Sequence, residues 1–85
     1  MTVDLEQLPL DMARTVFPPL WVVYFHPEDF PDDYVVRLWW GMTPEPKCHR
    51  FATLGQARVF IRDAGGCVKF GWQQGDAESV LESWL

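Results

Sequence analysis

Two groups of residues in this chain carry side chains capable of chemistry. The first is His26 with Glu28, Asp29, Asp32 and Asp33, in the run His-Pro-Glu-Asp-Phe-Pro-Asp-Asp. An imidazole and four carboxylates so close together are donors for a metal ion. The spacing, however, fits no calcium loop, which needs acids at alternate positions, a central glycine and a distal glutamate. Pro27 and Pro31, with Asx-type hydrogen bonds, account for the same residues as an ordered turn region. The second group is Cys48-His49, with Cys67 and His26. Four such ligands would suit tetrahedral zinc, but the chain has no Cys-x-x-Cys pair. A thiol nucleophile needs a base and an orienting group within reach, and no cysteine-enzyme signature surrounds either cysteine. Gly65-Gly66 follows a helical pattern instead of opening one, so it is no phosphate cradle. These residues predict no enzyme, no cofactor and no metal site. The alternative is a small metal-dependent or thiol enzyme using His26, Cys48 and His49.

The elements that must position these residues follow from periodicity and turn chemistry. Leu5, Leu8 and Met12 recur at roughly helical spacing, Pro9 interrupts, and Pro18-Pro19 stops whatever precedes them. Residues 1–19 therefore read as an N-terminal arm or short helix lying against a single α+β domain at 20–85. Leu20–Phe25 is β-branched and aromatic on both faces, which predicts a strand inside a sheet covered on both sides. His26–Asp33 is the acidic loop, and Tyr34–Trp40 is a second strand, antiparallel to the first. Gly41–Lys47, with two prolines, reads as a turn, and Cys48–Ala52 as a short third strand.

Thr53-Leu-Gly-Gln56 is a capping-box signature that starts a helix from Leu54 to about Ala64, burying Leu54, Ala57, Phe60, Ile61 and Ala64. Arg50, Arg58 and Arg62 lie on or just before that helix; as flank residues they would pair with Asp63 or the acidic loop. Gly65-Gly66 ends the helix. Cys67–Trp72 alternates as a strand with Cys67 inside it, and Gln73–Asp76 is a loop. Residues 76–85 have the propensity of a capped helix. The fold class expected is α+β: a small, single-layer, mainly antiparallel sheet of four to five strands packed on one helix.

Composition narrows the class. The 85 residues are 48% hydrophobic and include five tryptophans, which excludes a disordered chain. Two cysteines are too few for a secreted disulfide scaffold, no secretory signal pattern opens the chain, and no apolar run approaches a membrane span. A cytoplasmic protein with reduced thiols is expected. Net charge is −5 and unevenly distributed. Residues 1–33 carry seven acids and one base, 34–69 six bases and two acids, and 70–85 three acids and no base. Overall acidity disfavours direct binding to nucleic acid; it is compatible with a protein partner that has a basic surface, and equally with a solvated acidic surface that keeps the chain soluble.

The block His26, Pro27, Asp29, Phe30, Pro31, Asp32, Tyr34, Val35, Val36, Arg37 and Trp39 resembles a pattern shared by a group of short, uncharacterised bacterial and phage-encoded proteins. Thr53, Leu54, Ala57 and Arg58 match a helix start common in that group, and Val80, Glu82, Trp84 and Leu85 match its tail. The likeness spans roughly residues 20–85. It implies a small β-α-β module and a closing strand at Val80–Leu85 in place of the helix, and it carries no activity. Size, acidity and these phage-like relatives together lead to the expectation of a non-enzymatic interaction module. Its narrower form is a mobile-element inhibitor docking on a basic nucleic-acid-binding host complex, such as a CRISPR effector. Glu28, Asp29, Asp32 and Asp33 are the expected partner-binding acids, with Trp39 as the aromatic anchor.

Overall fold

Pro9 sits immediately before the first helix, where a residue without an N–H costs no hydrogen bond. The computed structural model describes residues 8–73 and 76–85, so Leu5 and part of the expected 73–76 loop lie outside the described residues. Helix α1 runs Leu10–Val16 and buries Ala13. It is followed by β1 (Pro19–Phe25), β2 (Tyr34–Trp40), β3 (Thr43–Phe51), α2 (Leu54–Asp63), β4 (Lys69–Gly71) and β5 (Val80–Trp84). The strands form one five-stranded antiparallel sheet in the order β3-β2-β1-β5-β4. The architecture is α+β, and the chain's end closes as a strand. No helix among the described residues is long and apolar enough to cross a membrane.

β1 is central because the last strand returns to its free edge, Trp21 opposite Trp84 and Val23 opposite Glu82. Its other edge pairs β2, Val23 opposite Val36. Val23 and Val36 meet Ala57 and Ile61 of α2 in a fully buried cluster, with Trp21, Phe51, Leu54, Phe60, Leu81 and Trp84 packed around it. The capping box at the start of α2 forms as its residues require: Gln56 N donates to Thr53 Oγ1 at 3.2 Å, and Thr53 N donates to Gln56 Oε1 at 3.3 Å. At the far end Gly66 N donates to Ile61 O and Gly65 N to Arg62 O, a Schellman closure with Gly65 at φ +107°.

Four expectations need correction. The turn after β2 is only Gly41-Met42. Gly41 has φ +64°, as the first central residue of a type II′ hairpin requires, and Phe17 leaves no room there for a Cβ. β3 then runs through Pro44 and Pro46, which an edge strand tolerates because one side of it needs no ladder donors. Ala64 is exposed, since α2 ends before it. The strand expected at Cys67–Trp72 shortens to Lys69–Gly71, exposed throughout, with Cys67 outside it and exposed. Finally, of the two faces expected to be covered, helices among the described residues cover one, and loops cover only part of the other. α2 packs on the face of Val23 and Val36, and α1 reaches the same face through Glu45, whose carboxylate also accepts Trp40 Nε1 at 2.9 Å.

Candidate functional site

The face opposite the helices is set by strand alternation. Val22, Tyr24, Val35, Arg37 and Trp39 point there from β1 and β2; Cys48 from β3 faces Arg37, and Val80 and Ser83 join from β5. Val22, Val35 and Val80 are buried, yet no helix among the described residues covers them. Two loops do so in part, leaving two depressions on either side of Tyr24.

The first loop is the acidic one. His26 adopts φ +44°, a left-handed backbone uncommon outside glycine, and turns the chain off β1. Its ring stacks on Phe25 at 4.1 Å and meets Tyr34 edge-on at 5.2 Å. Two consecutive turns follow, with Phe30 N donating to Pro27 O and Asp33 N to Phe30 O, and His26 N closes the loop on Asp33 O at 3.0 Å. Arg50 clamps it from β3, its guanidinium 4.7 Å over the Phe30 ring and 3.7 Å from Asp33 Oδ2. Asp33 is thus half-buried and engaged, while Glu28, Asp29 and Asp32 are exposed and make no ion pair among the described residues. Asp29, Pro27 and Phe30 face Tyr24, Val35, Arg37, Cys48 and Ser79 across a depression of about 180 Å³.

The second loop joins β4 to β5. Trp72 Nε1 donates to Ala77 O at 3.1 Å, and Gln73 N donates to Asp76 Oδ2 at 2.8 Å. Asp76 and Ala77 border a groove of about 320 Å³ with Leu20, Val22, Tyr24, Trp39, Met42 and Val80. Trp39 is half-buried there, its indole N–H donating to Tyr24 Oη at 3.1 Å. Burial of the Tyr24 phenol raises its pKa, ahead of the opposing effects of the Trp39 hydrogen bond and the Arg37 charge.

Asp29 and Trp39 therefore lie on the same open face on either side of Tyr24, whereas His26, Cys48 and His49 do not converge. Cys48 lies on the open face, its sulfur accepting from Arg37 Nε at 3.2 Å. The next residue, His49, lies on the helix face with its ring 4.5 Å from Phe60, where burial, and next the Lys47 charge, lower its pKa. Among the described residues no group of three or more His, Cys, Asp or Glu side chains could hold a metal ion.

Another charged pair escaped the sequence reading. Arg58, expected to pair with Asp63 or the acidic loop, instead holds Glu82, a residue only 5% exposed. Trp84 Nε1 donates to the same carboxylate at 2.6 Å. The alternation Glu82–Trp84, opposite Val23 and Trp21, is the signal that would have placed that acid inward. Comparison of the chain with protein-family models, curated proteins and solved structures returns no match in any of the three.

Proposed function

We propose that this chain is a non-enzymatic protein-interaction module that docks on a partner with a basic surface. The observation that carries the reading is the place of Asp29 beside Tyr24, on the sheet face that bears Trp39 and that no helix covers among the described residues, with Glu28 and Asp32 exposed on the same loop and none of the three acids in an ion pair among the described residues. Clustered exposed charge raises the rate of association with an oppositely charged surface, and a half-buried tryptophan supplies the anchoring area. The turns and the Arg50 clamp hold the loop before any partner arrives, which lowers the entropy lost on docking. In the narrower form the partner is a nucleic-acid-binding host complex and the chain is a phage or mobile-element inhibitor, anti-CRISPR-like in class. Its support is the net charge of −5, which lets acidic side chains compete for a surface built for phosphates.

The test is recovery of partners from a bacterial lysate by the tagged chain and by a variant with Glu28→Gln, Asp29→Asn, Asp32→Asn and Asp33→Asn. The reading expects basic partners that salt releases and that the quadruple variant recovers poorly. Equal recovery by both proteins would overturn it.

A further inference from the structure

Within that docking reading, the groove between Trp39 and Asp76 has a chemistry of its own. We infer that it is a receptor for one arginine or lysine side chain of the partner.

Its floor is aliphatic, formed by Leu20, Val22 and Val80, and two aromatic rings, Tyr24 and Trp39, line it. Among the described residues the lining includes one carboxylate, Asp76, and no basic side chain. Arg37, a cation on the same face, lines the other depression and is engaged with Cys48. A volume of about 320 Å³ lies at the bottom of the range of small-ligand sites, ~300–1,000 Å³, and suits one long side chain.

Arginine and lysine match all three features. Their methylene stems lie on apolar floors while the charged head stays at a polar rim. The head is attracted to the faces of tryptophan and tyrosine rings. Asp76 then supplies the counter-charge. A neutral apolar side chain would desolvate that carboxylate without a partner, and an acidic one would meet like charge.

The walls are also fixed in advance. Trp39 is locked by its hydrogen bond to Tyr24 Oη, and Asp76 is oriented by Gln73 N. Its neighbour Ala77 is held by Trp72 Nε1 and by Val80 N, which both donate to Ala77 O, the latter at 3.0 Å. Little ordering remains for the guest to induce.

Capped pentapeptides with arginine, norleucine or glutamate between glycines are the probes, titrated into ¹⁵N-labelled full chain. The Trp39 indole signal, identified by its loss in Trp39→Phe, is the readout. The arginine peptide should move it and the Asp76 and Ala77 amides saturably, with a millimolar dissociation constant. Asp76→Asn keeps an acceptor for Gln73 N and should weaken the effect on the order of tenfold, the equivalent of about 1.4 kcal/mol. The quadruple loop variant should leave it within about twofold. Equal shifts from all three peptides, or none, would overturn the inference. Shifts confined to residues 28–33 would overturn the groove and leave the basic-partner reading standing.

Discussion

Arg58 crosses from α2 to Glu82 on β5, Nη2 2.7 Å from Oε1 and Nε 3.2 Å from Oε2, and so ties the helix to the sheet with a charge pair at the edge of the core. Arg58 is partly open to water, whereas the Glu82 side chain is 6% exposed. Removing the arginine strands a buried carboxylate. Arg58→Ala should therefore cost about 2–3 kcal/mol, the lower side of what breaking a fully buried pair costs. Glu82→Gln keeps one acceptor oxygen for Arg58 or Trp84, puts an NH2 donor in place of the other, and leaves no buried charge unpaired, so it should cost less than Arg58→Ala. Urea denaturation of both variants at pH 7 checks the order; an Arg58→Ala midpoint equal to the parent's would show that the pair contributes nothing.

The same carboxylate makes stability depend on pH. Burial pushes the Glu82 pKa up, but the hydrogen bonds from Arg58 and Trp84, with the charges of Arg58 and Lys69, outweigh it and leave the pKa below the usual glutamate value. The hydrogen bonds from Trp40 and Arg14 lower that of Glu45. A pKa lower folded than unfolded means that the unfolded chain binds more protons as the medium turns acid. The stabilisation is then present above the unfolded pKa and fades as pH falls through the folded one. Stability should decline from about pH 5 downward, and Glu82→Gln should flatten that slope. An unchanged slope in Glu82→Gln, from denaturation curves at several pH values, would contradict the assignment.

Core contributions should rank by burial. Ile61 is fully buried between α2 and the sheet, so Ile61→Ala should cost about 3–4 kcal/mol. Phe60 is half-buried, edge-on to Trp21 at 5.6 Å and beside Phe51 at 5.3 Å. Phe60→Ala should cost about 2 kcal/mol, below the figure for a fully buried aromatic. Thermal melts of the two variants give the order directly, and a reversed order would mean that α2 rests on its aromatic flank.

Local signals carried much of the architecture. Thr53 and Gln56 specify the start of α2 and Gly65-Gly66 its end, because caps satisfy backbone groups within a few residues. The alternation at Tyr34–Trp40 and the β-branched run before Phe25 specify two strands and the faces of their side chains. The placement of the acids on a tight loop is equally local, since Pro27, Pro31 and the Asp residues favour turns wherever they occur.

Tertiary structure decided what depends on remote partners. Residues 76–85 have helical propensity, yet Val80–Trp84 forms a strand because β1 offers a free edge and an apolar face to bury against. Pro44 and Pro46 lie in a strand and not a turn because β3 falls at the sheet edge, a position no local pattern encodes. β1 is apolar on both sides, but only the arrangement of α1 and α2 leaves one of those sides without a helix among the described residues and puts Trp39, Tyr24 and Asp76 around one groove. Arg58 finds Glu82 for the same reason. Their separation of 24 positions is bridged by packing; the Glu82–Trp84 alternation points the acid inward but does not say which base it meets.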